Sequence, residues 1–216
     1  GGIIAASSNI TITDNQIINN SLIANDGAAG AGIIIRSFEY DSLSIIIRNN
    51  LIADNYAQSK MTGGGGIAIT DDNQNNINYL IENNIIRGNI VQNTDEWKAM
   101  GGGIALDFYL PTSGIQIIRN NIITGNEARC QNSFGGGMYI VLSESISNGS
   151  VDNDPGPYIY NNIISDNHSD YLGGAVSVWR AYFPFGSEIA YPLTSWGHYT
   201  PKPSFVNNTI VDNTAE

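Results

Sequence analysis

NNIIRGN, residues Asn83 to Asn89, is the stretch on which the fold turns, because variants of it return along the whole chain. The other copies read NNSLIAN from Asn19, NNLIADN from Asn49, NNIITGN from Asn120, NNIISDN from Asn161 and NNTIVDN from Asn207. Between them a glycine cluster leads into alternating aliphatics: GAGIII at Gly30, GGGIAI at Gly64, GGGIAL at Gly101, GGGMYI at Gly135 and GGAVSV at Gly173. Self-similarity at about 30 to 46 residues marks a repeat architecture in which each unit stacks on the next.

The period inside each unit decides which solenoid this is. Ile33 and Ile35 alternate with Ile34 and Arg36, Ile45 and Ile47 with Ile46 and Arg48, and Ile52 stands between Leu51 and Ala53. A period of two means strands; helical repeats of this length need a 3.6-residue period that is absent. Three short strands per repeat, stacked in parallel, describe a coil of a β-helix. The parity of the inward positions changes between Asn49 and Asn50, so a tight bend falls at each asparagine pair.

These motifs resemble right-handed parallel β-helix proteins of the pectate-lyase-like superfamily, and within it the NNxIxxN and GGGI repeats of surface proteins. The resemblance implies an all-β, right-handed parallel β-helix of about six coils of three short strands, spanning residues 1–216 as one domain. It also implies a column of stacked asparagines lining one turn, here Asn20, Asn50, Asn84, Asn121, Asn162 and Asn208. The residue type suits the task without the family. Asparagine tolerates the left-handed backbone of a sharp corner, and its amide satisfies buried backbone groups. Lyases of that family hold calcium through acids beside a basic residue, and its hydrolases use clustered aspartates; neither set forms a motif here.

Composition narrows the class. With 216 residues, 42% hydrophobic and 13% charged, the chain has material for one continuous core. A net charge of −11 argues against nucleic acid or an anionic membrane surface as a partner, and no apolar run approaches the length of a spanning helix. One cysteine, Cys130, excludes an internal disulfide framework. The chain opens directly on a glycine cluster and closes just after the sixth asparagine copy, which reads as a piece of a longer chain. Sequons at Asn9, Asn19, Asn148, Asn167 and Asn207 arise readily in an asparagine-rich repeat, and the bend at Asn19 and Asn207 is expected to leave a glycan little room.

The copies differ in their loops, where function is grafted on a regular scaffold. Long insertions occupy residues 142–156 and 180–201. The second is crowded with aromatic residues, of which Trp179, Tyr182, Tyr191, Trp196 and Tyr199 are the candidate carbohydrate platform. Arg180, Glu188 and His198 stand among them as the catalytic candidates. Asp152 and Asp154, with Glu144, offer hard oxygen ligands to calcium, the one metal the sequence points to. The outward row closing the first strand reads Arg36, Thr70, Asp107, Val141, Trp179, which does not gather carboxylates.

Parity also sends Leu51, Ile85, Ile122 and Ile163 outward, flanked by Ser21 and Thr209. Such a stripe of aliphatics reads as a surface for lateral self-association or for another domain of the parent protein. Two functions fit the sequence. One is a segment of a secreted or cell-surface β-helix with a structural, adhesive or glycan-binding role; the other is a polysaccharide lyase or glycoside hydrolase acting on an extracellular polysaccharide.

Overall fold

The computed structural model describes the chain except residues 39–41, 61, 72–75, 95–97, 109–113, 144, 147–156, 182–197 and 200–202. The described residues form an all-β parallel solenoid, the β-helix that the repeats imply. The second coil shows the plan, with strands Ile33–Ser37, Ser42–Arg48, Leu51–Ala53, Tyr56–Ser59 and Thr62–Gly63. Equivalent strands stack in parallel into four sheets of six strands and a fifth of four. Four turns therefore carry all five strands, whereas the sequence reading expects about six coils of three.

The two strands that alternation misses have physical reasons to be silent. Tyr56–Ser59 places Ala57 and Ser59 inward, so its buried face carries little hydrophobic signal. The fifth strands are two or three residues long and built largely of small side chains, as in Ala28–Ala29 and Thr62–Gly63. A run that short shows no period.

Register follows the repeats. Ile35, Ile69, Leu106 and Ile140 align in the first sheet, Ile47, Ile81 and Ile118 in the second, and Ile52, Ile86 and Ile123 in the third. Ile33, Ile35, Ile47 and Ile52, inward by the alternation, and their equivalents Ile67, Ile69, Ile81, Ile86, Ile104, Leu106, Ile118 and Ile123 are at most 1% exposed. A β-branched side chain is stiff about its first torsion and stacks well on its equivalent about 4.8 Å away, which explains the preference for isoleucine.

The corners are held by asparagine. At the bend between second and third sheets, Asp14, Asn49, Asn83, Asn120, Asn161 and Asn207 take φ of 52 to 58°, and each is followed by an inward asparagine. Asn84 shows what that residue does. Its Oδ1 accepts from the backbone N–H and the Nδ2 of Asn50, at 2.9 and 3.1 Å. Its own Nδ2 donates to Asn121 Oδ1 at 3.0 Å and to the Ile47 carbonyl at 2.9 Å. Two donors and two lone pairs are all used, the full capacity of a primary amide.

This ladder runs Asn15, Asn50, Asn84, Asn121, Asn162, Asn208. Asn20 is not its first rung. The first coil reads Asp14-Asn15-Gln16-Ile17-Ile18-Asn19-Asn20, so its corner pair is Asp14–Asn15, and Gln16 rather than Ser21 aligns with Leu51. Asn20 begins a second ladder through Asn55, Asn89, Asn126, Asn167 and Asn213 at the next corner. There Asn19, Asp54, Gly88, Gly125, Asp166 and Asp212 supply the positive φ. The inner rungs of both ladders are at most 2% exposed, while Asn20 and Asn208 at the ends are half-buried. Asn19 and Asn207 point into solvent, contrary to the crowding expected there; Asn167 is the buried sequon.

Truncating Ile81 to alanine is expected to lower unfolding free energy by about 2 to 5 kcal/mol in a denaturant titration. Asn84→Ala orphans at least two buried partners, each worth about 1 to 3 kcal/mol. Asn120→Gly, on the exposed left-handed position beside the ladder, stays within about 1 kcal/mol of wild type. Equal losses at Asn84 and Asn120 would contradict this division of labour between the paired asparagines.

Candidate functional site

The third corner is made of glycine, and it borders a groove on the surface. Gly64, with φ of 64°, turns the chain from the fifth sheet back into the first, as do Gly30, Gly101, Gly135 and Gly173. Gly66 then lies so close to the next coil that a Cβ would sit 2.7 Å from the Gly103 carbonyl oxygen and 3.0 Å from Asn89 Nδ2. The turn sets Gly63 and Met100 of the fifth sheet beside Ala68, Ala105 and Tyr139 on the outer side of the first. Between them lies a groove of about 490 Å³ lined by residues that include Ile4, Ile34, Ala68, Ala105, Gly63 and Met100, with Asp26 and Arg36 also contributing.

Between the fourth and fifth coils the same corner is filled. Phe134 packs with Tyr139 and Val141, and Met100 lies against them. Phe134 meets Tyr171 edge-on at 5.7 Å and Trp179 edge-on at 4.8 Å between ring centroids. Trp179 is 38% exposed, and Lys98 Nζ lies 5.2 Å from its ring centre. The outward row Arg36, Thr70, Asp107, Val141, Trp179 is in register as the alternation requires. Arg36 stacks on Phe38 at 4.8 Å. The Thr70 hydroxyl is buried without a hydrogen-bond partner.

Of the other candidates in the aromatic insertion, Arg180 lies in strand Val176–Ala181. His198 and Tyr199 form a short strand paired antiparallel with Ser145–Ile146, which joins the two long insertions. Insertions of such different length and composition show no sequence signal for that pairing. The side chains of Arg180, His198 and Tyr199, and residues Tyr182, Glu188, Tyr191, Trp196, Glu144, Asp152 and Asp154, lie outside the described set. Among the described residues no three His, Cys, Asp or Glu side chains gather as for a metal ion.

Sequence reading also passed over a column on the second sheet. Glu82, 6% exposed, lies between Arg48 at 3.2 Å and Arg119 at 2.6 Å, and Arg119 donates to the Tyr160 hydroxyl at 3.0 Å. Hydrogen bonds to Tyr160 and Glu82 hold the Arg119 pKa above its usual value. The signal was present, since each of these four residues immediately precedes its asparagine pair. His168 has a comparable bracing role, with Thr214 Oγ1 2.8 Å from Nδ1 and Asp170 Oδ1 3.0 Å from Nε2.

Compared with known proteins, the chain finds no matching family model, curated protein or solved structure. No helix among the described residues is long and apolar enough to cross a membrane.

Cys130 is partly buried, and desolvation pushes its thiol pKa up. A raised pKa leaves less thiolate at neutral pH, and the thiolate is the reactive form. Alkylation of the folded chain should therefore be slower at pH 8 than that of a free thiol and keep rising beyond about pH 8.5, where a free thiol is half ionised. Stopped-flow thiol labelling would read this, and a folded-chain rate equal to that of free cysteine would contradict it.

Proposed function

We propose that the chain is a rigid structural segment of a secreted or cell-surface β-helix protein, with adhesive or glycan-binding contacts on its outer faces. The observation that carries this reading is the pair of unbroken asparagine ladders linking every coil to the next at two corners. Such cross-linking suits a rod that keeps its shape under load and spaces other surfaces apart. Kinship with pectate-lyase-like β-helices and with NNxIxxN surface repeats belongs to the same proposal.

Trp179 supports a glycan contact, being open on the outer face next to Lys98. The row Leu51, Ile85, Ile122, Ile163 supports an adhesive one. Its last three members are 39 to 45% exposed, and the row ends at Gln16 and Thr209. A second reading, a polysaccharide lyase or glycoside hydrolase, draws on the antiparallel pairing that sets His198 and Tyr199 beside the other long insertion.

Affinity electrophoresis against neutral and acidic polysaccharides, with the same mixtures assayed for new reducing ends, separates the two. Retention by a polysaccharide without chain cleavage is the expected result. Turnover of reducing ends would replace the structural reading by the enzymatic one. Light scattering tests the adhesive stripe, because self-association should disappear in Leu51→Lys/Ile122→Lys. A monomeric wild type would leave that stripe without a second copy as its partner.

A further inference from the structure

Independently of the role proposed above, the groove between the first and fifth sheets has the dimensions and chemistry of a small-molecule site. We propose that it binds an electrically neutral, ring-bearing apolar molecule.

The molecule supplies its own precedent. In register along the first sheet, Ala68 and Ala105 occupy the outward position that Tyr139 occupies in the fifth coil. Along the fifth sheet, Gly63 and Met100 occupy the position of Phe134. Where Phe134 of the fourth coil and Tyr139 of the fifth close this corner, ring centroids 6.2 Å apart, Gly63 of the second and Ala68 of the third set only a methyl group against a bare glycine. The vacancy is thus the volume of the missing side chains, and the stacked strands on either side hold it open. Its size, about 490 Å³, falls within the range of small-ligand pockets, which run from about 300 to 1,000 Å³.

The lining selects the class of occupant. Ile4, exposed, and Ile34, half-buried, form its open aliphatic wall, with Ala68 and Ala105, 1% and 4% exposed, at its base beside Tyr139. A hydroxyl-rich sugar laid on that wall would lose water without regaining hydrogen bonds, which is costly. A ring with an apolar face loses nothing and takes the exposed Ile4 and half-buried Ile34 out of water. Charge acts in the same direction. Asp26 and Arg36 contribute one unit of each sign to the lining, and the chain as a whole carries −11, so an anionic occupant is repelled and a neutral one is not.

Fluorescence titration with N-phenyl-1-naphthylamine, a neutral ring-bearing probe, tests the proposal, with 8-anilinonaphthalene-1-sulfonate as the anionic comparator. Saturable binding of the neutral probe at one site per chain is expected, with the anion weaker by about tenfold or more. Ala105→Phe repeats in the fourth coil the plug that the fifth already holds and should weaken the neutral probe by about tenfold or more, with the circular dichroism spectrum unchanged. If that variant does not fold, Ala68→Leu closes the third coil instead and carries the same expectation. Arg87→Ala, at an exposed position of the third sheet, should leave binding as in wild type. Absence of saturable binding, equal affinity in a folded groove-filling variant, stronger binding of the anion, or loss of binding in Arg87→Ala would each overturn the assignment.

Discussion

The buried amide of asparagine, shared between neighbouring coils, is the interaction on which the rest of this structure depends. A solenoid must turn its backbone several times per coil, and each turn leaves peptide groups that face neither a strand partner nor water. An unpaired buried amide or carbonyl costs about 1 to 3 kcal/mol, enough to forbid the turn if nothing answers it. Here one side chain answers two such peptide groups, as Asn84 does for the Asn50 N–H and the Ile47 carbonyl, and joins the amides of Asn50 and Asn121 as well, while the neighbouring residue absorbs the backbone strain with a left-handed φ of 56° at Asn83. The two tasks fall on adjacent residues because one side chain must point in while the preceding backbone bends.

Two ladders five residues apart leave only three residues for the strand between them, such as Ile85–Arg87. With three positions, a single residue faces the core, and it must be large. That constraint accounts for the isoleucine column Ile52, Ile86, Ile123, Ile164, and it forces the positions on either side outward whatever their polarity. The exposed aliphatic row at Ile85, Ile122 and Ile163 is therefore partly a by-product of corner geometry combined with the preference of β-branched residues for strands.

The glycine corner follows the opposite logic. Where asparagine fills space between coils, Gly66 and its equivalents remove it, letting neighbouring backbones approach to distances no Cβ permits. The fifth sheet packs Ala28 and Ala99 against Ala57, Val91 and Ala128 of the fourth in a minor core, and its other side borders the outer face of the first. Between the fourth and fifth coils aromatic rings fill that border; in the coils before them small residues leave it hollow. One backbone plan thus yields a sealed corner and an open one, and side-chain volume alone distinguishes them.

How much of this was legible in the sequence depends on whether a feature repeats. The solenoid, the parallel register, the inward isoleucines and the asparagine column from Asn50 to Asn208 were readable, because a side chain that must stack on its equivalent recurs at the same place in every copy. The second ladder was written there too, in the last asparagine of each copy, but a first coil that begins Asp14–Asn15 disguised the register and lent Asn20 to the wrong column. The fourth and fifth strands, the groove, and the contact between Ser145–Ile146 and His198–Tyr199 were decided only by the tertiary structure. Short strands with small inward residues carry no period, and a groove is a shape made by side chains that are missing. The pairing of two insertions is set by where the scaffold holds their ends, which local sequence does not encode.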